Sequence, residues 1–483
     1  MTRLVVGPFN RVEGDLELTL DVADGRVAAA RVSAPLFRGF ERILVGRPPE
    51  DALAIVPRIC GICSVSQSMA AAAALRAASG VAPPPNGGLA ADLAHAAENI
   101  ADHLTHFYLF FMPDVCRAEY AGRPWFEAVS ARFKAVEGTA AGDMLPARAR
   151  LLHVVGITAG KWPHALAFGP GGTTRAVDLG ETMRLVATMA QLRRFLEGTL
   201  FAAPLEEIVA LDSLAALDDF AGSPRRAGGD FAAFVRIARD LAFDRLGRGT
   251  TALMSYGAYR GGGAPLFRSG VLDPRTGEVR PVVTAEIGED VTSAWLADGP
   301  AHPAAADTRP DPHKPDAYGW SKAPRLAGRP VEVGALARQA VDGHPLARAL
   351  IAGGGSDVFA RLVARLIEVA RVAIAMEDWV RALRAGAPFN VAGPAIAEAA
   401  AEGLVEAARG SLGHWITVQG GEIARYQIIS PTTWNFSPRD SAGVPGPLEQ
   451  ALVGTPVGAL GSRAAAIQHV VRSFDPCMVC TAH

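Results

Sequence analysis

The sequence predicts an α+β protein that is predominantly α: a large helical bundle core with peripheral β-hairpins. Three observations carry this. Alanine-rich stretches keep apolar residues three and four apart over long distances, a strand pair with a tight turn lies near the start, and 49% apolar residues in a chain of 483 can fill a core of many layers. The length exceeds the roughly 250–300 residues at which one compact core stops growing, so two domains or one many-layered domain are both allowed. No internal repeat and no flexible linker is seen, which favours one domain over 1–483. Within it the sequence places a β element over about 1–50, a helical core over about 51–250 and 355–483, and an irregular segment over about 296–330.

Leu16, Leu18, Leu20 and Val22 alternate with polar residues, Asp24-Gly25 supplies the positive φ of a two-residue turn, and a second extended run reaches Val32. Met69 to Ala78 and Leu89 to Phe111 read as long helices, packed closely because alanine has little bulk. A further helix starts at Ser356, a candidate N-cap, and keeps its spacing through Phe359, Leu362, Leu366, Ala370 and Ile374 until Gly386 and Pro388. It spans roughly 28 residues, about 42 Å. Seven prolines between Pro300 and Pro330 predict a long loop, anchored by Tyr318, Trp320 and Leu326.

Composition excludes several classes. A formal charge of −2 with mixed signs gives no footprint for nucleic acid or an anionic membrane. No uncharged apolar run of about 18 residues occurs, so no membrane span is expected. Residues 1–10 carry no secretory signature, and a cytoplasmic location is the expectation. Five cysteines are too few for a disulfide scaffold.

Four of those five form two Cys-x-x-Cys pairs, Cys60/Cys63 and Cys477/Cys480, lying 417 positions apart. Such spacing lets both sulfurs of a pair reach one ion, and two pairs give four thiolates for one soft metal site. Spacing alone also allows a structural zinc or mononuclear iron site that staples the termini. Against that, a core of this size needs no staple, and His483 stands three positions past Cys480. Cys116 has no partner at ligand spacing and reads as a small buried hydrophobe.

The two pairs, within Arg-x-Cys-Gly-x-Cys and Asp-Pro-Cys-x-x-Cys-x-x-His, resemble the signature motifs of the large subunit of NiFe-hydrogenases. Asn10-Arg11-Val12-Glu13-Gly14 and Phe37-Arg38-Gly39-Phe40-Glu41 are similar to two further motifs of that family. So, in the family's order, are Asp102-His103 with His106-Phe107-Tyr108, Lys161 to His164, Trp320 to Arg325, Arg409-Gly410 and Pro431 to Asn435. The resemblance spans the chain.

It implies the NiFe-hydrogenase large-subunit fold and a Ni-Fe centre whose iron carries CO and two CN ligands. Cys60 and Cys477 would be terminal nickel ligands and Cys63 and Cys480 bridging ones. Heterolytic cleavage of H2 needs a metal pair and a nearby base, which a terminal thiolate can provide. Glu13 resembles the proton relay beside Cys477. Arg409 resembles the active-site arginine, with Asp102 and Asp475 as partners and Thr432 donating to a cyanide. Glu41, the carbonyl of Ile428 and His483 resemble ligands of a second, hard metal, Mg2+. His103, His106, His153 and His164 are left out of the metal set.

Departures from the family refine the reading. Ala408 stands where proline usually precedes the arginine, which bears on how Arg409 is positioned. Gln67 stands where histidine usually follows the first pair, and glutamine can bond to sulfur but cannot carry a proton. The chain stops at His483, where most members are cut from a longer precursor. Ile62 and Phe110 occupy gas-channel positions at which sensors carry bulkier residues. Together these resemble the regulatory branch: an oxygen-tolerant cytoplasmic H2 sensor with low turnover that signals to a histidine kinase. The alternative is an energy-conserving uptake hydrogenase, and the remote alternative a non-catalytic subunit with a structural four-thiolate site. Either hydrogenase reading implies maturation proteins for Ni-Fe insertion and a small subunit carrying Fe-S clusters, in a heterodimer or a dimer of heterodimers, since Cys116 alone is left here and cannot hold a cluster.

Overall fold

The computed structural model describes residues 2–261, 263–457 and 464–482. At the start, β1 (Thr2–Val6), β2 (Glu17–Ala23) and β3 (Arg26–Ser33) form an antiparallel meander. Asp24 and Gly25 make the expected turn with φ of 50° and 70°. Leu18 and Leu20 point into the core, and β1, which the alternation from Leu16 does not predict, pairs Val6 with Leu18 and Leu4 with Leu20. The structure thus has the mostly helical α+β architecture that the spacing predicts.

The alanine-rich spacing folds as α1 (Ser64–Ser79) and α2 (Pro85–Thr105). α2 runs on into a π turn, His106–Phe111, and the helical run closes in a 3-10 turn at Met112–Cys116, where Pro113 offers no N–H. Two more helices matter for the site, α3 (Ala335–Asp342) and α4 (Val358–Ala382). α4 has 25 residues rather than roughly 28, because Leu383 is already extended. Its cap is Asp357, whose carboxylate accepts the Ala360 N–H at 2.8 Å; the expected cap, Ser356, gives its hydroxyl to Glu332 at 2.6 Å instead.

The stretch 355–483 is not helical throughout, and this corrects the sequence reading. It holds an antiparallel sheet of β4 (Ala399–Ala407), β5 (Gly410–Gln419) and β6 (Glu422–Ile429). The alanines and glutamates of β4 favour helix, but pairing with Ile416 and Val418 and packing on α1 override that preference. Gly403 makes the packing possible: a Cβ there would lie 2.0 Å from the carbonyl oxygen of Ala70. In this way the β4–β5 turn is carried to the end of α1 that bears the first cysteine pair.

The proline-rich loop is irregular up to Ala323–Leu326, which pairs with Ile287–Asp290. Its expected anchors are in place. Trp320 stacks on Phe37 at 4.8 Å, Leu326 is buried, and the Tyr318 hydroxyl donates to Glu449 at 2.9 Å. Glu449 also accepts the Val32 N–H at 3.0 Å, and burial pushes its carboxyl up to about 7. An acid with a raised folded pKa stabilises the fold at pH below its unfolded value near 4.3, and this contribution is lost as pH rises to about 7. Glu449→Gln, which mimics the protonated form, is therefore expected to gain on the order of 2 kcal/mol relative to the parent at pH 8.5 and little at pH 5. Thermal melts at both pH values check this. Among the described residues no helix is long and apolar enough to cross a membrane.

Candidate metal centre

The two ends of the chain meet at the cysteines. Cys60 follows the 3-10 turn Val56–Arg58, and Cys63 is the N-cap residue of α1. The second pair follows the helix Ala465–Ser473, with Asp475 in the left-handed region at φ 58° and Cys480 closing the turn Met478–Cys480. All four are buried, and their sulfurs lie within 4.8 Å of one another. Neighbouring sulfurs are 3.4 Å apart for Cys60 and Cys477, 3.2 Å for Cys63 and Cys480, and 3.1 Å for Cys477 and Cys480. Hydrogen bonds from Cys477 and the other thiols pull Cys60 well below the usual thiol pKa, while the same contacts hold Cys63 and Cys480 well above it. One thiolate solvated by thiols is a poor resting state, and a soft cation that displaces the remaining protons suits it.

Four residues fix the frame. The Glu13 segment bridges the Cys477 segment as in a parallel sheet, with the Met478 N–H donating to the Glu13 carbonyl at 2.7 Å. Gly14, at φ 78°, allows this, since a Cβ would lie 2.9 Å from Val479. Arg38 donates to the carbonyls of Ile59 at 2.6 Å and Val479 at 2.5 Å, joining the two cysteine segments by one guanidinium. Glu98 of α2 accepts the Val65 and Ser66 N–H groups at 2.8 and 2.9 Å, and also the Trp162 indole at 3.0 Å. A carboxylate on the first N–H groups of α1 suits that helix terminus and fixes the turn holding Cys63. Glu98→Ala strands several buried donors, and a loss of about 3 kcal/mol of stability with weaker metal binding at the four cysteines is expected; denaturant titration and metal analysis check both.

The sequence-predicted polar residues surround the cysteines. Arg409, at the β4–β5 turn, donates Nε to the Asp475 carbonyl at 2.9 Å and Nη2 to the Asp475 carboxylate at 3.2 Å. Its Nη1 lies 2.8 Å from Asp102 Oδ2, close enough for an ion pair but not aligned as a hydrogen bond, so Nη1 and both Asp102 oxygens remain buried without a hydrogen-bond partner. Burial pushes the Asp102 carboxyl well up, whereas Asp475, despite burial, is held low by Arg409. Thr432 Oγ1 accepts the Cys477 N–H at 3.2 Å, which leaves its proton to donate. Gln67 lies one turn past Cys63, its Oε1 2.8 Å from His414 Nε2 and its buried Nε2 without a partner. The Glu13 carboxyl is raised, first by burial and then by the negative charge of Cys60, while Arg409 opposes.

The comparisons with known proteins agree with this geometry. The profile described as nickel-dependent hydrogenase matches residues 38–118 and 143–483. The chain belongs to the nickel-dependent hydrogenase family. The large subunit of the periplasmic [NiFeSe] hydrogenase of Desulfomicrobium baculatum is 29% identical, over 100% of this chain and 95% of its own. The uptake hydrogenase large subunit of Afipia carboxidovorans is 28% identical, again over 100% and 95%. Among solved structures, the reduced Ni-Fe-Se hydrogenase of D. vulgaris Hildenborough superposes with a TM-score of 0.84 at 29% identity, each chain being fully covered.

As a hydrogenase site, the residues fit a Ni-Fe centre. Four converging sulfurs supply the soft donors. Gln67 Nε2, which has no partner, and Arg409 Nη1, which has an ion pair with Asp102 but no hydrogen bond, are buried donors of the kind that diatomic ligands with terminal nitrogen or oxygen would satisfy. Of the residues expected around a second metal, Glu41 and Ile428 line a cavity of about 10 Å3 together with Thr481 and Ala482, roomy enough for one small ion or water. Ile428 meets Glu41 through its N–H, at 2.8 Å, rather than its carbonyl. The Lys322 ammonium already contacts the Glu41 carboxylate at 3.1 Å. His483 lies outside the described residues.

Ile62 is half-buried against the apolar shell of the cysteines, and Phe110 is half-buried in the π turn after α2. The excluded histidines stay outside the cluster: His103 pairs with Glu368, His106 with the Arg472 carbonyl and His164 with the Pro57 carbonyl, while His153 is exposed. Cys116 packs against the core and burial pushes its thiol up to about 11. Sequence reasoning missed Arg38, Glu98 and His414. Arg38 stood inside the Phe37 to Glu41 motif without a role of its own, and Glu98 left a weaker signal, standing four residues before Asp102 and so on the same face of α2.

Proposed function

We propose that this chain is the H2-cleaving large subunit of an energy-conserving uptake hydrogenase. The observation that carries it is the meeting of four buried sulfurs from both chain ends beneath an arginine braced between Asp102 and Asp475. When bound, a Ni-Fe pair supplies a Lewis-acidic site at which H2 divides heterolytically. The Cys477 sulfur would take the proton, and the Glu13 carboxyl, whose backbone bridges the Cys477 segment and whose pKa is raised by burial and by Cys60, would carry it outward. Cys60, Cys63, Cys477 and Cys480 would together hold the metal pair and supply its soft donors. The Glu41 carboxylate, held by the Lys322 ammonium and the Ile428 N–H, is the group that would meet a second, hard cation. Electrons leave through a small subunit with Fe-S clusters, since this chain has no further cysteine pair. The names of the relatives, periplasmic and uptake enzymes, support this role.

Gln67 favours a second reading, a regulatory hydrogenase that reports H2 to a histidine kinase, because an amide in place of an imidazole cannot move protons beside Cys63. Nickel and iron analysis with infrared spectra of the purified two-subunit complex tests the shared core; missing CO and CN bands would overturn both readings. Turnover separates them. A high H2 oxidation rate that air abolishes supports the uptake enzyme, and a slow, air-insensitive rate that Ile62→Val with Phe110→Leu makes oxygen-sensitive supports the sensor.

A further inference from the structure

Arg409 stands in the two-residue turn between β4 and β5, where Ala407 pairs with Gly410. Neither Ala408 nor Arg409 has a positive φ, so the turn lacks the left-handed residues that usually close so short a hairpin. Ala408, in the second position of the turn, does not restrict its own backbone as proline would. The constraint comes from outside. Arg338 of α3, 1% exposed, donates Nη1 to the Ala407 carbonyl and Nη2 to the Ala408 carbonyl, both at 2.8 Å.

Its remaining donors are committed as well. Nε reaches Glu368 Oε2 at 2.9 Å, Nη2 reaches Glu368 Oε1 at 2.7 Å and Nη1 reaches Glu406 Oε2 at 2.7 Å, so every N–H of the guanidinium has an acceptor. Glu406 in turn accepts the Tyr256 N–H at 2.7 Å and the Ser411 hydroxyl at 2.6 Å. Glu368 lies 3.1 Å from His103 Nε2, on the residue next to Asp102. One buried cation is therefore bonded to the turn that bears Arg409 and, through Glu368, to the helix that bears Asp102.

We propose that Arg338 is a positioning residue for H2 cleavage: its bonds to two turn carbonyls set where the Arg409 guanidinium stands relative to Asp102 and the cysteine cluster. It touches no reacting atom. The inference rests on Arg409 acting at the metal centre, and the presence of CO and CN bands tests that reading, whereas their positions test this one. A lysine in place of Arg338 keeps one charge near Glu368 and Glu406 but cannot also fork onto both carbonyls. Proline at 408 would supply the missing backbone restraint, and Ala407 before it is already extended, as proline requires.

The test compares the parent two-subunit complex with Arg338→Lys and with Arg338→Lys/Ala408→Pro, reading nickel content, melting temperature, cyanide band positions and H/D exchange. The single variant is expected to hold nickel, shift the cyanide bands and lose about ten- to a hundredfold in exchange, as small misplacements do. The double variant should recover parent band positions and most of the rate. Unshifted bands and full exchange in the single variant would overturn the proposal. So would a loss that Ala408→Pro leaves unrepaired, which is what a purely structural ion cluster gives. If the single variant fails to assemble, the double variant decides: recovered assembly with parent bands supports the proposal, and continued failure overturns it.

Discussion

Glu13→Gln is expected to slow H/D exchange by about 10²- to 10⁴-fold while nickel content and the CO and CN bands stay where they are. The separation of these effects follows from how Glu13 is held. Its place beside Cys477 is set by backbone, through the Met478 N–H on its carbonyl at 2.7 Å and the close approach that Gly14 permits, so an amide side chain leaves the frame intact. Proton affinity is what changes. The carboxyl is raised by burial and by Cys60, which brings it nearer to a group able both to accept and to release a proton at neutral pH; glutamine can do neither. Glu13→Asp keeps the chemistry but shortens the reach, so it should fall between parent and amide. An amide variant that exchanges as fast as the parent would remove Glu13 from the relay.

Why Glu13 was legible in the sequence and Arg338 was not has a physical basis. Metal chemistry needs particular atoms at particular spacings, so Cys60, Cys63, Cys477 and Cys480 stand out in a chain with one other cysteine, and Glu13, Asp102, Arg409 and Asp475 follow from the motifs around them. The groups that hold those residues in place come from distant elements and carry no spacing. Arg338, Glu368 and Glu406 look like ordinary charges in an amphipathic pattern until the fold buries all three together. The sheet over 399–429 was hidden for a related reason: Ala399 to Ala401 and Ala407 favour helix locally, and only β5 and the face of α1 make them a strand. At the start of α4, Ser356 and Asp357 are both good caps, and a tertiary partner, Glu332, decides between them.

Arg409→Lys is expected to lower exchange by about 10²-fold or more with nickel retained, the cost of losing one well-placed donor group in a dry site. Burial works against the charge of Arg409, but Asp102 and Asp475 more than offset it and hold the guanidinium ionised. A lysine would also stay charged between two carboxylates, so the pair of charges survives. What it cannot reproduce is the division of labour. Nε and Nη2 are spent on Asp475, at 2.9 and 3.2 Å, while Nη1 stays buried, unbonded and beside Asp102. A single ammonium must choose between bracing against Asp475 and reaching the cluster, and with two buried carboxylates competing it will brace. Arg409→Met should therefore do more harm than Arg409→Lys, because it strands the Asp475 charge and costs about 3–5 kcal/mol in addition to the rate. Should both variants lose the same amount of exchange and of melting temperature, the side chain would be acting as a structural charge alone. If lysine instead keeps the parent melting temperature while exchange collapses and the cyanide bands shift, the aim of Nη1 is what the site depends on.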